Sequence, residues 1–291
     1  MPTLDGLEFY VDGGAFAEGR YDLRSVERLL SDYRRLVDQT LPLALGQKTL
    51  TRRIRNEVGY EISFKQGSWI TLLEFAIEHK ELLAAASAAD GGTHFLADYI
   101  SKLIHAVLEL RRMFEERHSQ GEKPRIQLAS NNSVSVPIHL ENVRTNGGNI
   151  IVSPVVVIAA EATRATLDSI IRAVDGTRIR NVSVRSRKTK STITKEDLRI
   201  TGTLKEELPN TLEVVGRLNV VAYDSHRGQL LTENGRFPVT WDERIRRDIH
   251  DFADTDGIAF VVKPVVDHRR FKEDPVGLHI LSCRQLQGRL L

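Results

Sequence analysis

One stretch of this chain repeats apolar residues at alternating steps of four and three, and it constrains the fold more than any other feature. Within residues 93–117 the members of this series are Leu96, Ile100, Leu103, Val107, Leu110 and Phe114. Such spacing places all of them on one face of an α-helix. The series therefore predicts a long helix with one continuous apolar face.

Two different environments would bury that face. Further apolar residues widen it beyond a two-stranded seam: Phe95, Tyr99, Ile104 and Leu108. A wide face favours the central core helix of an amino-terminal domain. The heptad spacing fits equally a helix that associates with a second copy of the chain or with a protein partner. Both interpretations stay open at the level of the sequence.

Composition describes an ordinary globular chain. At 291 residues it is long enough for two domains, or for one domain with an appendage. The 41 Lys and Arg residues nearly balance 39 Asp and Glu residues, and 41% of the residues are hydrophobic. These values exclude disordered, collagen-like and disulfide-scaffold proteins. The single cysteine, Cys283, forms no internal disulfide and suits a reducing compartment.

The sequence contains no pattern of a leader or a membrane span. Residues 1–12 lack the basic start and apolar run of a signal peptide. The most apolar stretch, residues 70–89, includes Glu74, Glu78, Lys80 and Glu81, whose charges are costly within a bilayer. We therefore expect a soluble cytoplasmic protein without a membrane partner.

Hydrophobic periodicity predicts an α+β chain in three parts. Residues 1–117 form a mixed α/β domain with a strand over 6–11, a helix over 22–40 stopped by Pro42, hairpin strands over 57–64 and 68–75, a helix over 78–89 and the heptad-like helix. Residues 118–204 form a linker and bridging segment, with a strand over 178–187 and a helix over 153–174 that begins at Ser153-Pro154. A buried strand starting at Val155 is the alternative to that helix.

Residues 205–291 form a small β domain. Turn signals separate strands over 212–222, 229–232 and 236–240, a helix, and strands over 258–266 and 278–283. In the first strand we expect Gly216 to mark a bulge or bend. One predicted face of that strand carries Leu212, Val214, Leu218, Val220 and Ala222.

This order of elements resembles the oligonucleotide/oligosaccharide-binding (OB) fold family. The resemblance covers residues 210–287, about a quarter of the chain, and concerns architecture alone, since the family has no diagnostic motif. An SH3-like barrel or a β-sandwich would give a similar order. The resemblance implies a five-stranded barrel whose ligand surface lies on its second and third strands and on the loops after its first and fourth strands.

Those loops and strands carry cations and aromatic residues. The candidate nucleic-acid-binding residues are Tyr223, His226, Arg227, Arg236, Arg269, Arg270, Phe271 and Lys272. Cations neutralise phosphates and aromatic faces stack on bases, so this mixture suits single-stranded nucleic acid or a nucleotide. Tyr223 and Phe271 are the predicted stacking contacts. The alternative is a solvated charged loop with one aromatic side chain packed over the end of the barrel.

A second basic segment lies between residues 172 and 190. Its further candidate binding residues are Arg178, Arg180, Arg185, Arg187, Lys188 and Lys190, with Asp175 as the one carboxylate in that stretch. On an exposed strand such a stripe would bind nucleic acid or an acidic partner. An edge strand also uses charges simply to block pairing with another strand.

Enzyme motifs are missing from the sequence. It contains no Gly-x-Ser-x-Gly elbow, no phosphate-binding Walker loop, no Gly-x-Gly-x-x-Gly and no His-Glu-x-x-His. The acidic residues around His250 suggest a metal site, but a helix cap at Asp242 and a turn at 254–257 explain them better. We assign no catalytic residue, metal or cofactor, although a site assembled from distant residues would leave no local pattern.

These observations favour a non-catalytic binding or adaptor protein whose barrel and basic strand engage nucleic acid or a nucleotide. A second hypothesis is a protein–protein interaction or oligomerisation module that uses the helix at 93–117. A third is a metal-dependent hydrolase or nuclease that uses the acidic residues near His250.

Overall fold

A computed structural model of the chain describes residues 6–14, 22–47, 51–52, 58–65, 69–77, 94–129, 143–146, 149–271 and 274–285. They belong to two compact units, Met1–Gly202 and Thr203–Leu291. Helices and sheets both contribute, so the predicted α+β class is confirmed. The predicted helix over 78–89 lies outside the described residues.

The amino-terminal unit is built on an antiparallel sheet with the order β2-β3-β1-β7-β8. Its strands are β1 (Leu7–Asp12), β2 (Val58–Lys65), β3 (Trp69–Ile77), β7 (Asn181–Arg185) and β8 (Lys190–Ile193). A smaller sheet contains β4 (Arg125–Leu128), β5 (Arg144–Asn146) and β6 (Asn149–Val152). Strands β2 and β3 confirm the predicted hairpin.

Helices pack against the larger sheet and against one another. They are α1 (Leu23–Ala44), α2 (His94–Ser119), α3 (Pro154–Ala162) and α4 (Arg164–Ala173). In β1, Leu7, Phe9 and Val11 are fully buried, and Tyr33 of α1 stacks on Phe9 with 4.4 Å between ring centroids. The Tyr33 hydroxyl donates a hydrogen bond of 2.8 Å to the Leu7 carbonyl, and burial raises the pKa of that hydroxyl well above its ordinary value.

The heptad-like helix is a core element. Its six apolar residues, from Leu96 to Phe114, are each at most 3% exposed. The interpretation as a core helix is therefore confirmed. Because these side chains are already buried within their own unit, they are not available as a surface for a second copy or a partner.

Two consecutive arginines of α2 connect it to the middle of the chain. The Arg111 guanidinium contacts the Asp168 carboxylate at 2.9 Å, and both side chains are buried. Arg112 donates two hydrogen bonds, of 2.7 and 2.8 Å, to Asp197 and a third, of 2.7 Å, to the Thr192 carbonyl of β8. The hydrogen bond with Asp197 is the main reason that the pKa of Arg112 is raised.

Residues 118–204, predicted as a linker and bridging segment, contribute β4–β8, α3 and α4 to the same unit as β1. The predicted helix over 153–174 occurs as α3 and α4, with Pro154 as its first residue, and the alternative of a strand at Val155 is wrong. The two helices meet at Thr163, whose hydroxyl donates to the Ala159 carbonyl at 2.7 Å. Pro42 does not stop α1, which continues to Ala44.

The second unit is a closed barrel with the OB-like architecture that the sequence suggests. Its strands are β10 (Leu212–Ala222), β11 (Arg227–Thr232), β12 (Gly235–Trp241), β13 (Ile258–Asp267) and β14 (Gly277–Gln285), with α5 (Arg246–Phe252) between β12 and β13. The order is β10-β11-β12-β14-β13, and pairing of β13 with β10 closes the barrel. Strands β12 and β14 run parallel, and the short strand β9 (Lys205–Glu207) joins the end of β13.

An irregularity in β10 changes which of its residues face the core. The register with β11 shifts between Leu218 and Val220, so the predicted bulge is not at Gly216. After this shift Val220 is 54% exposed, and Val221 packs against the core instead. Gly216 has a different role, because a Cβ there would lie 2.4 Å from the Leu231 carbonyl oxygen. Its lack of a side chain lets β10 and β11 approach.

Candidate nucleic-acid interface

The outer face of β11 and β12 is basic and apolar. Leu230 and Val239 point into the barrel core, so alternation turns their neighbours outward. Three cross-strand pairs form this outer face: Arg227 with Thr240, Gln229 with Pro238, and Leu231 with Arg236. Neither strand contains a carboxylate. We call these six residues the barrel face.

Arg227 and Arg236 supply the positive charge of the barrel face. Both side chains are exposed, and neither forms an ion pair within the part of the chain that the structure describes. Arg227 belongs to the first of these pairs and Arg236 to the third. They lie on different strands, about 13 Å apart along the strand direction. Exposed Pro238 lies in the pair between them, and Leu231, 38% exposed, lies opposite Arg236. The face therefore has one arginine near each end, with apolar surface at its centre from Pro238 and at the Arg236 end from Leu231.

The parallel pairing of β12 with β14 brings a histidine to the edge of the barrel face. The Thr240 hydroxyl lies 3.0 Å from Nδ1 of His279. Carboxylate oxygens of Glu207 and Asp242 lie 3.6 and 3.8 Å from the ring nitrogens of the same histidine. Thr240 and His279 are not among the candidate residues predicted from the sequence. Strand alternation points to Thr240, but His279 is 39 residues away in the chain.

The two predicted loop clusters are not brought together. The first follows β10 and contains Tyr223 and His226, whereas the second follows β13 and contains Arg269 and Arg270. Because β10 and β13 are antiparallel neighbours, their carboxyl ends lie at opposite ends of the barrel. Strands β11 and β12 run between the two ends.

Residues of the first loop contact α5 and the turn that precedes it. The Tyr223 ring is half-buried and lies 5.6 Å from the ring of His250. His226 has a left-handed backbone, with φ of 51°, and its Nε2 contacts the Glu243 carboxylate. A hydrogen bond from Arg246 is the main cause that holds the pKa of Glu243 below its ordinary value. Tyr223 and His226 are therefore engaged with neighbouring side chains.

A groove of about 760 Å³ opens between this loop and α5. Cationic and acidic side chains line it together: Tyr223, Asp224, Glu243, Arg244, Arg246, Arg247, His250 and Asp251. Because carboxylates offset its arginines, the groove favours an anionic ligand less than the barrel face does.

The second loop is held in place by an internal carboxylate. Asp267 is 2% exposed, and its Oδ1 accepts hydrogen bonds from the backbone N–H groups of Leu204 and Arg269, at 3.0 and 3.2 Å. His268 contacts Glu206 at 2.7 Å. Phe271 is 7% exposed, so little of its ring is available in this structure for the predicted stacking on a base.

The other predicted cations of the second loop differ in exposure. Arg270 is exposed, and Arg269 is half-buried. Lys272 lies outside the described residues. Arg270 is therefore the cation of this loop that the structure presents to solvent.

The basic segment divides into two groups at opposite ends of β7. At one end Arg178 contacts Asp22 at 3.2 Å and Arg180 contacts Asp12 at 2.8 Å. At the other end are Arg185, Arg187, Lys188 and Lys190. Strand β7 pairs on both sides, with β1 and β8, so its interpretation as an edge strand is wrong.

The acidic residues near His250 do not converge. Asp254 contacts Arg217 at 3.4 Å, and His250 contacts Asp251 at 3.6 Å. Within the described residues, His, Cys, Asp and Glu side chains form no group of three that could hold a metal ion. Nor does any described helix combine the length and apolar character needed to cross a membrane.

The chain matches no known protein family, no curated protein and no solved structure. The barrel face and the basic segment are therefore the features of the chain that bear on its function.

Cys283 gives a test of the barrel core. Burial is the main cause that raises the pKa of its thiol from 9.0 to about 11, and the carboxylate of Asp248 adds to the effect. Because the thiolate is the reactive form, we expect a disulfide reagent at pH 8 to modify the folded protein about 100-fold more slowly than the unfolded chain. The unfolded state ionises more readily, so stability should also fall as pH rises from 9 towards 11. Equal rates of thiol modification at pH 8 in native buffer and in guanidinium would contradict the buried position of Cys283.

Proposed function

We propose that the carboxy-terminal barrel binds single-stranded nucleic acid across the barrel face, and that the protein is a non-catalytic binding or adaptor protein. The observation that carries this proposal is the pair of exposed arginines, Arg227 and Arg236, on two adjacent strands without a carboxylate. Backbone phosphates would contact the arginines, and bases would lie against Leu231 and Pro238.

The chemistry of this face favours single strands. Unpaired bases expose apolar faces that pack on apolar side chains, whereas duplex bases are already stacked. Apolar contacts read base identity poorly, so we expect weak sequence preference. Electrostatic contact with phosphates makes affinity fall with salt, by about 0.7 logarithmic units per neutralised phosphate for each tenfold increase.

The main argument for a protein-interaction module was the apolar face of the helix at 93–117. Because α2 buries that face within its own unit, this hypothesis is now weaker. The hydrolase hypothesis is likewise weaker, because the acidic side chains near His250 pair with separate partners.

The test is fluorescence anisotropy of the full chain with labelled single-stranded DNA, single-stranded RNA and duplex DNA at low and moderate salt. We expect both single strands to bind more tightly than the duplex. Arg227→Gln/Arg236→Gln should weaken single-strand binding at least about tenfold and reduce the salt slope by about 1.4, because two phosphate contacts are lost.

A matched control removes the same charge elsewhere on the barrel. Arg244 and Arg247 are exposed in or beside α5 and belong to neither strand of the barrel face. Arg244→Gln/Arg247→Gln should change affinity less than about threefold, as expected from the long-range charge alone. Equal losses in both double variants, or no binding at low salt, would overturn the proposal.

A further inference from the structure

The connection between β7 and β8 places like charges next to each other. Arg185 and Lys190 are directly opposite in the register of the two strands. Like charges in that position destabilise a sheet. Arg187 and Lys188, both exposed, form the connection itself. Four cations thus lie within six residues, and the carboxylate in register with them is Glu8 of β1, opposite Arg185.

The connecting residues are also unusual for their position. Short hairpin connections prefer Gly, Asn or Asp, yet here Arg187-Lys188 stands between Ser186 and Thr189. The connection is nevertheless well ordered. The Ser186 N–H donates to the Thr189 carbonyl at 2.8 Å, and the Ser186 hydroxyl accepts from the backbone N–H groups of Lys188 and Thr189. Two local preferences are broken at one place, a pattern that points to function.

Arg185 is oriented by an aromatic ring. Its guanidinium carbon lies 4.6 Å from the centre of the Tyr10 ring, on the neighbouring strand β1. A stacked guanidinium keeps its N–H groups in the plane, where they bind the oxygens of an anion in a fork. Its Nε is buried and has no hydrogen-bond partner within the described part of the chain. The stacking therefore fixes the orientation of the guanidinium on the strand position opposite Lys190.

We propose that Arg185, Lys188 and Lys190 bind a phosphate monoester of a nucleotide. A phosphate monoester carries close to two negative charges at neutral pH and several acceptor oxygens, which suits an arginine fork with two lysines better than a single carboxylate does. The site belongs to the amino-terminal unit and does not depend on the barrel face. The same group occurs on a free mononucleotide and at the 5′ end of a nucleic-acid strand.

The experiment uses the full chain with Arg227→Gln/Arg236→Gln, so that the barrel face contributes little. The probes are two 3′-labelled oligonucleotides of identical sequence, one with a 5′-phosphate and one with a 5′-hydroxyl group. We expect the phosphorylated probe to bind at least about tenfold more tightly. Adding Lys188→Gln/Lys190→Gln should abolish this preference, whereas Arg24→Gln/Arg35→Gln, which removes two exposed charges of α1, should preserve it.

Competition identifies the source of the phosphate. Displacement of the phosphorylated probe by adenosine 5′-monophosphate, but not by adenosine, assigns the site to free mononucleotides. A preference for the 5′-phosphate that the mononucleotide does not compete assigns it to strand ends. Equal affinity for both probes, or a preference that survives Lys188→Gln/Lys190→Gln, overturns the proposal. Because glutamine already replaces both barrel arginines in this variant, failure of the phosphate proposal does not bear on the proposed role of the barrel.

Discussion

Leu103→Glu should unfold the amino-terminal unit. Leu103 is 0% exposed in the middle of α2, so the change removes a buried apolar side chain and leaves a carboxylate in the core. We expect a cost of about 5 kcal/mol, a large part of the stability of a typical domain. The measurement is the helical circular dichroism signal of the purified variant, together with its molar mass by light scattering.

A matched leucine on the surface separates this effect from the change in charge. Leu23 begins α1 and is 76% exposed. Leu23→Glu should alter stability by less than about 0.5 kcal/mol, as surface substitutions usually do. If Leu103→Glu kept its helical signal and merely lowered the molar mass, α2 would be an interface helix and the assignment of its apolar face to the core would fail.

Arg111→Met should be nearly as damaging. The methionine retains much of the apolar stem, but it leaves the Asp168 carboxylate, 2.9 Å from the guanidinium in the native protein, buried without its cation. Breaking a buried ion pair from one side costs about 3–5 kcal/mol. Chemical denaturation should show this loss as a lower midpoint with an unchanged slope.

The same helix provides the control for this prediction. Arg117 contacts Glu122 at 3.3 Å, and the Glu122 side chain is 48% exposed. Arg117→Met should cost less than about 1 kcal/mol, because exposed ion pairs contribute little. Replacing both buried partners, Arg111→Met/Asp168→Asn, should recover part of the stability. A double variant no more stable than Arg111→Met would mean that the stranded charge is not the cause.

The order of the strands in the barrel was predictable from the sequence, but the register of β10 was not. Turn signals such as Asn234-Gly235 are local, and they separate strands whose bounds agree with β10–β14 within a few residues. The shift in β10 was not predictable, because it depends on how Leu218 and Val220 meet β11. Alternation alone assigned Val220 to the core, and the structure places Val221 there instead.

The sequence shows which residues of the candidate sites are charged, but it does not show which side chains they contact in the folded protein. The sequence shows that Arg178 and Arg180 are basic, but their carboxylates lie 156 and 168 residues earlier in the chain. Likewise Phe271 counts as an aromatic residue in a loop, and its packing follows only from the folded barrel. Among the predicted cations, the structure leaves some exposed at the barrel face, in the β7–β8 connection and at Arg270, whereas Arg178 and Arg180 are paired with carboxylates.

Arg112 has a consequence for how the protein behaves in concentrated solution. Strand β8 is last in the order of its sheet, and its Thr192 carbonyl is occupied by the Arg112 guanidinium, which Asp197 holds in a fork. A free strand edge is a template on which another polypeptide adds by backbone hydrogen bonding. The Arg112 side chain, which links α2 to the sheet, therefore also occupies a carbonyl group that an added strand would need. This contact opposes aggregation through the β8 edge.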